Sequence, residues 1–499
     1  MSAPRTIVLF YPPYSGPALS APLSLLCLAA PLLEAGFPVR LVDAAVTPDF
    51  EAVVMRAIPD ALCLGISMLT GPMIQHGARL ARRVKQMRPE LPIILGGWHP
   101  SLLPDQSLEP DYVDMVVRRQ GERTLLEIAE RLAAGRGMEE VAGVSFKRNG
   151  AHVHNPDRPL ENINRLTPPA YHLADFDAYA RLSGVRKAGY ASSIGCPYAC
   201  NYCTDMVFYQ RRFNAYKAGR VVGEVVELVR RHGLEEVALL DSNFLVDGKR
   251  AIEIAEGFIA SGERFRWTFQ ASTDLLCRLS DADVGRLAAS GVSHMGFGTE
   301  SASEGVLLAM NKKHQRVEEM FETARKADQA GIRVTFNLIL GYPGETEADR
   351  LHTFRVMSDI ARRYGVVSFS PNIFTPYPGI PIWPQLRTLG VHEPGNLEAW
   401  ADLPLGRNIL PWLQGEERRR LRRMLEYFLL NNQIRRAAQR SRWFRARRRV
   451  LGAPLRWRLR VNRFGFPWEL WLARATEGVV SRRSLLTGQS LSHSMEEAC

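Results

Sequence analysis

Short apolar runs alternate with helical stretches through most of this chain, and this alternation constrains its fold more than any other feature. Within residues 1–145, the runs "TIVLF", "ALCLGIS" and "PIILGG" are separated by stretches with helical periodicity. Strands that alternate with helices predict an α/β protein with a parallel, doubly wound sheet. Such Rossmann-like sheets bind ligands in the loops that follow the carboxyl ends of their strands. Here we expect ligand contacts from "SMLTGPM" and "GGWHPS".

A proline-rich connector interrupts the alternation at residues 146–185, because its "TPPAY" cannot continue a helix or a central strand. The alternation resumes over residues 186–385, where six apolar runs from "AGYASSIG" to "VVSFSPNIF" predict a partial (β/α)6 barrel. The chemistry of such barrels belongs at the carboxyl ends of the strands. Beyond this point the alternation stops, and residues 386–499 are predicted to be helical and rich in arginine.

The composition is that of an ordinary globular protein, with 46% hydrophobic and 23% charged residues. The first apolar run ends at "YPP", which favours a strand over a signal peptide or a membrane span and predicts a cytoplasmic location. Four cysteines are scattered singly along the chain: Cys27, Cys63, Cys277 and Cys499. Their scattering indicates reduced thiols and not a disulfide framework.

Positive charge is concentrated towards the C-terminus. The whole chain has a formal net charge of +12, while residues 416–463 alone contain seventeen arginines and three glutamates. Such a segment is a candidate phosphate footprint for nucleic-acid binding. The region's apolar stretches, such as "MLEYFLL" and "FPWELWLA", equally suit a membrane surface, an acidic or lipophilic substrate, or a helical cap over an active site. A solvated basic helix pair packed on the barrel is the simplest interpretation.

Three cysteines stand close together after the first strand of the predicted barrel. Cys196, Cys200 and Cys203 have the spacing C-x3-C-x2-C. A structural zinc site needs four ligands, and a disulfide would leave one thiol over. An iron–sulfur cubane held by three thiolates leaves one iron open for a substrate, which accounts for the odd number. The spacing therefore favours such a cluster over zinc or incidental thiols.

The segment "CPYACNYC" resembles the signature of the radical S-adenosylmethionine superfamily, C-x3-C-x-aromatic-C, with Tyr202 in the aromatic position. In that family the three cysteines hold a [4Fe–4S] cluster. The resemblance implies that the open iron binds the amino and carboxylate groups of S-adenosylmethionine. It also implies cleavage of this molecule to methionine and a 5′-deoxyadenosyl radical.

Three further segments resemble cofactor-binding elements of the same family. The residues that the resemblance assigns to the site are Asp241 and Asn243 in "LLDSNF", Glu300 and Ser301 in "GFGTES", and Gly341 and Gly344 in "GYPGE". It implies that the second pair lies near the ribose or methionine part of the cofactor and the third pair beside the adenine. Taken singly, these residues fit caps and tight turns, but their order and spacing together favour the cofactor site.

The first domain resembles the cobalamin-binding domain that precedes the radical domain in one large subgroup, and the resemblance extends to about residue 395. It implies that cobalamin is bound by two loops. The residues assigned to this cofactor are Ser67, Met68, Leu69 and Thr70 in the first loop and Gly96, Gly97, Trp98 and His99 in the second. Met68 or Leu69 is expected to shield the lower face of the cobalt.

Many cobalamin-binding domains carry the motif Asp-x-His-x-x-Gly, whose histidine binds cobalt from below, and this sequence has no such motif. His76 and His99 are the alternative ligands, but a histidine on a helix or capping a loop is more often structural. In the subgroup that this chain resembles, the lower face is generally left without a protein histidine. A weakly ligated cobalt favours accepting and releasing a methyl group, so the missing motif fits alkyl transfer.

The predicted function is methylation of an unactivated carbon of a biosynthetic intermediate, as in class B radical S-adenosylmethionine methyltransferases. One S-adenosylmethionine would methylate the cobalamin, and a second would give the radical that takes hydrogen from the substrate. The cofactors carry this chemistry, so no side chain is expected to act as a catalytic nucleophile. The alternative is cyclisation or rearrangement without methyl transfer, as in the similar anaerobic Mg-protoporphyrin monomethyl ester oxidative cyclase family.

The expected partners follow from this chemistry and from the charge distribution. They are a small-molecule substrate of lipophilic or acidic character, an electron donor such as flavodoxin or ferredoxin, and a membrane surface. A nucleic-acid-modifying protein is the third interpretation. The C-terminal segment resembles the tails of other members of the subgroup, which favours a shared structural role over nucleic-acid binding.

Overall fold

The computed structural model describes residues 5–14, 20–403, 410–437, 450–455, 457–458, 461, 463 and 465–477. The strands are β1 (Thr6–Tyr11), β2 (Val39–Asp43), β3 (Ala61–Ser67), β4 (Ile93–Gly96), β5 (Met115–Val117), β6 (Val144–Arg148), β7 (Ala151–His154), β8 (Lys187–Tyr190), β9 (Ser193–Ile194), β10 (Asn214–Ala215), β11 (Glu236–Leu239), β12 (Arg266–Ala271), β13 (Val292–Glu300), β14 (Arg333–Leu340) and β15 (Val367–Ile373).

The α-helices are α1 (Leu23–Glu34), α2 (Phe50–Ala57), α3 (Pro72–Met87), α4 (Trp98–Leu102), α5 (Pro104–Leu108), α6 (Glu122–Ala133), α7 (Phe176–Ser183), α8 (Asp205–Phe208), α9 (Ala218–His232), α10 (Gly248–Ala260), α11 (Thr273–Arg278), α12 (Asp281–Ala289), α13 (Glu304–Ala309), α14 (Glu318–Ala330), α15 (Glu347–Arg363), α16 (Trp383–Thr388), α17 (Gly415–Ala437) and α18 (Trp468–Glu477). Short 3-10 helices span Ile58–Asp60, Ile163–Arg165, Tyr171–Leu173, Phe244–Val246 and Glu398–Asp402.

The N-terminal sheet has the strand order β2-β1-β3-β4-β5-β6-β7. Its first five strands pair in parallel. β3 is buried along its whole length, as the continuous apolar run "ALCLGIS" requires at the centre of a parallel sheet. On α3, the buried residues Ile74, Ala78 and Ala81 recur at helical spacing and form one apolar face. The predicted doubly wound arrangement is confirmed for these strands.

The sheet continues past residue 145, where a linker was predicted. β6 pairs antiparallel with β5, and β7 pairs antiparallel with β6. Asn149 and Gly150 connect the two strands with positive φ angles of 51° and 78°. An Asn-Gly pair favours a tight hairpin turn because both residues tolerate this conformation. The linker therefore starts after β7, and the sheet is mixed at this edge.

The second sheet is the predicted partial barrel, with six strands in the order β15-β14-β13-β12-β11-β8. All neighbouring strands pair in parallel. Gly233 and Gly331 end α9 and α14 in the left-handed conformation, which releases the chain into the next strand. Since parallel strands have their carboxyl ends at one edge, the loops that follow them can meet in a single site.

The C-terminal region packs on the barrel. Leu421, Met424 and Leu425 of α17 belong to the same hydrophobic core as residues of both sheets. Parts of the region that was predicted to be helical, residues 404–409, 438–449 and 478–499, lie outside the described residues, and so does Cys499. Among the helices described, none combines the length and the apolar character needed to cross a bilayer.

Candidate active site

The three cysteines lie on the loop after β9, at the edge where the carboxyl ends of the barrel strands meet. Gly195 opens this loop with a φ of +74°, and a Cβ atom there would lie 2.0 Å from the carbonyl oxygen of Arg212. Only glycine allows so close an approach. The cysteine loop is therefore folded tightly against the segment that follows it.

Hydrogen bonds from neighbouring strand ends fix the cysteine loop. Asn311 donates from Nδ2 to the carbonyl oxygen of Ala199 at 2.7 Å. The amide of Asn201 donates to the carbonyl oxygen of Met310 at 3.1 Å. The Tyr342 hydroxyl donates to Asn201 Oδ1 at 2.6 Å. The segments after β13 and β14 thus determine where the cysteines stand.

The thiols have surroundings that fit cluster ligands. Cys200 is buried, and Cys196 and Cys203 are partly exposed. Asn243 donates from Nδ2 to Cys196 Sγ at 3.8 Å. Burial raises the pKa of Cys196, so a bound metal would be needed to keep this sulfur as a thiolate at neutral pH. Within the described part of the chain, no three His, Cys, Asp or Glu side chains are grouped as ligands of one metal ion.

Glu300, Tyr202 and Lys312 form a buried polar group beside the cysteines. The Tyr202 hydroxyl donates to Glu300 Oε1 at 3.0 Å, and Lys312 Nζ lies 3.4 Å from the same oxygen. The Lys312 and Glu300 side chains are only 7% and 9% exposed. Burial lowers the pKa of Lys312, but the charges of Glu300, Cys200 and Cys196 outweigh burial, and the pKa ends above its usual value. Lys312 therefore remains a cation next to the thiols.

The backbone of Glu300 is strained. Its φ is +57°, and the register between β13 and β14 shifts between Gly298 and Glu300. A non-glycine residue in this region costs about 1–3 kcal/mol and is typical of functional sites. Here the strained residue ends β13 and carries the carboxylate that binds Tyr202.

The carboxylate of Asp241, a residue that the resemblance assigns to the site, is engaged within the protein. Its carboxylate accepts hydrogen bonds from the Ser192 amide at 2.7 Å, the Ser192 hydroxyl at 2.6 Å and the Ser193 hydroxyl at 2.5 Å. Arg250 donates from Nη2 to the carbonyl and hydroxyl oxygens of the same Ser192, each at 2.7 Å. Both Asp241 oxygens are therefore used within the protein, where they support the strand that leads to the cysteines.

Ser301 is likewise engaged inside the protein. It is fully buried, and its hydroxyl lies 3.2 Å from Thr353 Oγ1 and accepts from the amide of Ser303 at 3.1 Å. Of the two residues predicted at the end of β13, Glu300 is therefore the one whose side chain reaches the cysteine loop.

The glycine-rich turn after β14 is tied to the C-terminal region. Gly341 and Gly344 have φ angles of +77° and +86°. The Gly341 amide donates to Glu345 Oε2 at 2.5 Å, and Arg350 Nη1 donates to the same oxygen at 3.2 Å. Arg350 also pairs with Glu417 of α17. A buried arginine thus connects the turn to the first turn of this helix.

Residues 410–413 pack directly on this turn. Trp412 donates from Nε1 to the Gly341 carbonyl oxygen at 3.0 Å. A Cβ atom at Gly341 would lie 3.2 Å from the side chains of both Leu410 and Leu413. Because those side chains are buried, the C-terminal region is part of the site's structure.

This packing predicts an effect of Trp412→Phe on cofactor binding. The variant keeps most of the ring but loses the hydrogen bond to Gly341, which contributes about 1 kcal/mol. We expect S-adenosylmethionine to bind about fivefold more weakly in equilibrium dialysis of the reconstituted protein. Iron content should be unchanged. Trp471→Phe is the matched control, and equal weakening in both variants would contradict the assignment.

Buried polar atoms in this part of the barrel lack partners. Among the described residues, His314 Nε2, Gln315 Oε1 and Asn337 Oδ1 accept or donate no hydrogen bond. His314 stacks on Tyr198 of the cysteine loop, with ring centroids 3.5 Å apart. Burial lowers the pKa of His314 to about 4, so its ring is neutral. Unpartnered buried polar groups call for a polar ligand or water, which fits a site for S-adenosylmethionine.

The two loops predicted to bind cobalamin lie against each other. The Met68 amide donates to the Gly96 carbonyl oxygen at 2.8 Å, and the His99 amide donates to the Met68 carbonyl oxygen at 3.3 Å. Gly97 has a φ of +96°, and a Cβ atom there would lie 2.8 Å from Met68 O. This close backbone approach requires glycine. Residues 67–70 and 96–99 therefore form one continuous surface after β3 and β4.

Met68 cannot shield a ligand on that surface. Its side chain is fully buried, and a Cβ atom at Gly77 of α3 would come within 2.4 Å of Met68 Cε. Leu69 is partly exposed. Of the two residues predicted to cover the cobalt, Leu69 is thus the remaining candidate.

His99 supports this loop pair from within the protein. It is fully buried, and its Nδ1 lies 3.0 Å from Thr70 Oγ1. Burial lowers its pKa to about 3, so the ring is neutral. Its second nitrogen has no partner among the described residues. His76 lies on α3, with Nδ1 3.5 Å from Arg79 Nη2.

These two histidines can be separated by experiment. His99→Phe removes the contact with Thr70, and we expect aquocobalamin to bind about fivefold more weakly to the apoprotein because a net hydrogen bond contributes about 1 kcal/mol. His76→Phe should leave the affinity unchanged. Equilibrium dialysis measures both. If His76→Phe weakened aquocobalamin binding and His99→Phe did not, the cofactor would lie nearer α3 instead.

Aromatic side chains connect the loop after β4 with the segment that follows the cysteine loop. The Trp98 ring lies 4.2 Å from Phe208 and 5.8 Å from Tyr209, measured between centroids. Phe208 ends α8, which begins two residues after Cys203. The surface formed by residues 67–70 and 96–99 therefore adjoins the segment that directly follows the cysteines.

Comparison with known proteins agrees with this arrangement. The model of the radical SAM superfamily matches residues 190–357, and the model of the B12 binding domain matches residues 17–129. These matches cover the two regions that carry the cysteine loop and the loop pair after β3 and β4. The chain is thus a radical S-adenosylmethionine enzyme with an N-terminal B12-binding domain, a class whose cofactors are a [4Fe–4S] cluster, S-adenosylmethionine and cobalamin.

Several known proteins are similar to this chain in sequence. An uncharacterized methyltransferase of Pyrococcus horikoshii is 28% identical over 338 residues, which are 67% of this chain and 71% of the relative. The anaerobic magnesium-protoporphyrin IX monomethyl ester cyclase of Synechocystis sp. is 28% identical over 61% of each chain. The hopanoid C-3 methylase of Methylococcus capsulatus is 27% identical over 72% of this chain and 68% of its own.

Solved structures share the fold. The methyltransferase TsrM from Kitasatospora setae superposes with a TM-score of 0.66 at 19% identity, over 78% of this chain and 76% of its own. The cobalamin-dependent enzyme OxsB superposes with a TM-score of 0.72 at 15% identity, over 99% of this chain and 76% of its own. At these identities the likeness is one of fold.

Sequence reasoning missed several residues of the site. Lys312 stands in "AMNKK", where two adjacent lysines gave no sign of which one is buried. Tyr198 and His314 stack across more than a hundred positions, and no local pattern connects them. Trp412 follows the last predicted barrel strand and carries no motif. Lys312 alone had a signal in the sequence. It follows closely after an apolar helical stretch, within the segment that resembles the family's fourth-strand element.

Proposed function

We propose that the protein methylates an unactivated carbon of a small molecule. The observation that carries the proposal is the contact of Trp98 with Phe208 and Tyr209, because it brings the candidate cobalamin surface next to the cysteine loop. A methyl group and a carbon radical have to meet at one substrate atom. Adjacent sites for the two cofactors make this meeting feasible without a large domain movement.

When bound, the cofactors supply a 5′-deoxyadenosyl radical and a transferable methyl group. In this proposal, Cys196, Cys200 and Cys203 hold the cluster. Lys312 keeps positive charge beside their sulfurs, and the carboxylate of Glu300 is oriented by Tyr202 and Lys312. Residues around the site exclude water so that the radical reacts only with substrate.

A cyclase is the second candidate. It is favoured by the 28% identity to the Synechocystis cyclase, the same value as for the Pyrococcus methyltransferase. A cyclase would use the same cysteine loop and the same radical. The two functions differ in whether a methyl group leaves S-adenosylmethionine.

We also propose three partners. The substrate is a small molecule with lipophilic or acidic character. An electron donor such as flavodoxin or ferredoxin reduces the cluster, since radical formation needs an external electron. The C-terminal region makes contact with a membrane surface.

The substrate can be found with labelled cofactor. The reconstituted protein is incubated with S-adenosylmethionine carrying a deuterated methyl group and with extract of a strain that lacks the gene. We expect one extract component to gain the labelled methyl group, detected by mass spectrometry. Conversion of a component without label would favour the cyclase.

A further inference from the structure

An open cavity of about 800 Å³ lies in the C-terminal region, between α17 and the segment that precedes α18. Its charged lining consists of Arg419, Arg420, Arg423, Arg458, Arg463 and Glu416. None of these residues belongs to the cysteine loop or to the candidate cobalamin surface. The cavity is therefore separate from the site described above.

Arg458 fixes the wall of this cavity. Its side chain is 9% exposed and donates from Nε to Glu469 Oε1 at 2.5 Å. The Tyr427 hydroxyl donates to the other Glu469 oxygen at 2.9 Å. Arg458 also donates to the carbonyl oxygens of Arg463 and Phe466 at 3.1 and 2.8 Å. These bonds connect α17 and α18 with Arg458, Arg463 and Phe466.

Arginines outnumber carboxylates in the lining of this cavity. Arg420 pairs with Glu347 at 2.7 Å. Arg419 lies 3.6 Å from Glu416, with exposures of 73% and 90%, and such an exposed pair contributes little. The cavity lining contains five arginines and one carboxylate, that of Glu416, and Glu347 and Glu469 pair with two of these arginines. The cavity therefore attracts anions.

Apolar side chains are exposed beside this charge. Trp457, which lines the cavity, is 56% exposed, and Phe466 and Trp471 are 71% and 52% exposed. Val450 and Val461 on the same segment are 58% and 40% exposed. Exposed apolar groups close to a charged site are typical of an interaction surface.

Phe466 is also held in a costly conformation. Its φ is +47°, a region that few non-glycine residues occupy. Its ring packs edge-to-face on Trp471 with centroids 5.3 Å apart. A strained backbone that keeps an aromatic ring in solvent is better explained by a partner than by folding.

We propose that this surface binds an anionic phospholipid membrane, with a lipid phosphate in the arginine cavity and the apolar side chains in the interface. Arginines beside tryptophan and phenylalanine match the headgroup region of a bilayer, which is negative outside and apolar just below. This inference locates the proposed membrane contact and does not depend on the reaction at the cysteine loop.

Nucleic acid fits the same surface less well. Single-stranded RNA would use aromatic faces for base stacking. Here Phe466 and Trp471 pack on each other at an interplanar angle of 75°, and Val450 and Val461 offer nothing to a base. A bilayer accepts aliphatic and aromatic side chains alike.

The test is co-sedimentation of the full-length protein with vesicles. We expect binding to phosphatidylcholine vesicles that contain about a quarter phosphatidylglycerol, and little binding to phosphatidylcholine alone. Salt should weaken the binding. The double variant Arg419→Glu with Arg463→Glu should bind at least about tenfold more weakly. Arg181 and Arg231 are exposed outside the cavity lining. The control variant Arg181→Glu with Arg231→Glu should therefore bind the vesicles almost as well as the wild-type protein.

A second measurement needs no variant. Brominated acyl chains quench tryptophans that enter the bilayer, so they should quench the intrinsic fluorescence of the bound protein.

Phe466→Ser should weaken vesicle binding without changing its salt dependence. Three results would overturn the proposal. The first is equal binding to neutral vesicles, and the second is unchanged binding of the double arginine variant. The third is that glycerol phosphate saturates the protein although vesicles do not bind. Displacement of the vesicles by a lower concentration of polyuridylate would overturn it in favour of RNA.

Discussion

Replacing Cys200 with alanine is expected to abolish both the iron–sulfur cluster and the cleavage of S-adenosylmethionine. A cubane held by three thiolates has no substitute ligand at this position, since Cys200 is buried in the loop. The reconstituted wild-type protein should contain about four irons and four sulfides per chain. In the variant, iron, sulfide and 5′-deoxyadenosine should all fall to background.

Cys277→Ala is the matched control for this variant. Cys277 is a partly exposed thiol on α11, and its Sγ donates to the carbonyl oxygen of Glu319 at 3.6 Å. Its loss should leave cluster content unchanged. A Cys200→Ala protein that retained its cluster and still formed 5′-deoxyadenosine would disprove the assignment of the three cysteines.

The second large effect is expected for Lys312→Met. The substitution leaves the buried carboxylate of Glu300 without its cation, and breaking a buried ion pair costs about 3–5 kcal/mol. Thermal unfolding of the apoprotein should therefore shift to lower temperature. Lys313→Met should not shift it, because Lys313 is exposed on the adjacent position.

A double variant distinguishes the contribution of Lys312 and Glu300 to stability from their contribution to cofactor cleavage. Removing both charges with Lys312→Met and Glu300→Gln should recover part of the lost stability, because no unpaired charge remains. Cleavage of S-adenosylmethionine should stay impaired if Lys312 and Glu300 orient the cofactor. Recovery of stability together with cleavage would assign the pair a purely structural role.

The fold could be predicted largely because the apolar periodicity that distinguishes strands from helices is present in the local sequence. The continuous apolar run of β3 and the helical spacing on α3 each specify one element without reference to the rest of the chain. The β6–β7 hairpin was missed although "RNGA" contains a strong turn signal. The exposed pattern of β7 offered no apolar alternation to support it.

The candidate site could be predicted from the sequence only where the spacing of residues along the chain determines which ligand they can bind. Three thiols on one loop constrain their ligand by number alone. The resemblance of "LLDSNF" to a family element assigns Asp241 to the site, yet hydrogen bonds from Ser192 and Ser193 occupy its carboxylate. The bond from Trp412 to Gly341 joins residues 71 positions apart. Contacts at such separations depend on tertiary packing, which no local pattern encodes.

The product ratio of the reduced, fully reconstituted enzyme tests the central claim most directly. With substrate present, radical methylation consumes one S-adenosylmethionine as methyl donor and another as radical source. Chromatography of the nucleosides should therefore show S-adenosylhomocysteine and 5′-deoxyadenosine in equal amounts, both dependent on cobalamin. Formation of 5′-deoxyadenosine with substrate conversion but without S-adenosylhomocysteine would contradict methyl transfer and identify a cyclase or a rearrangement enzyme.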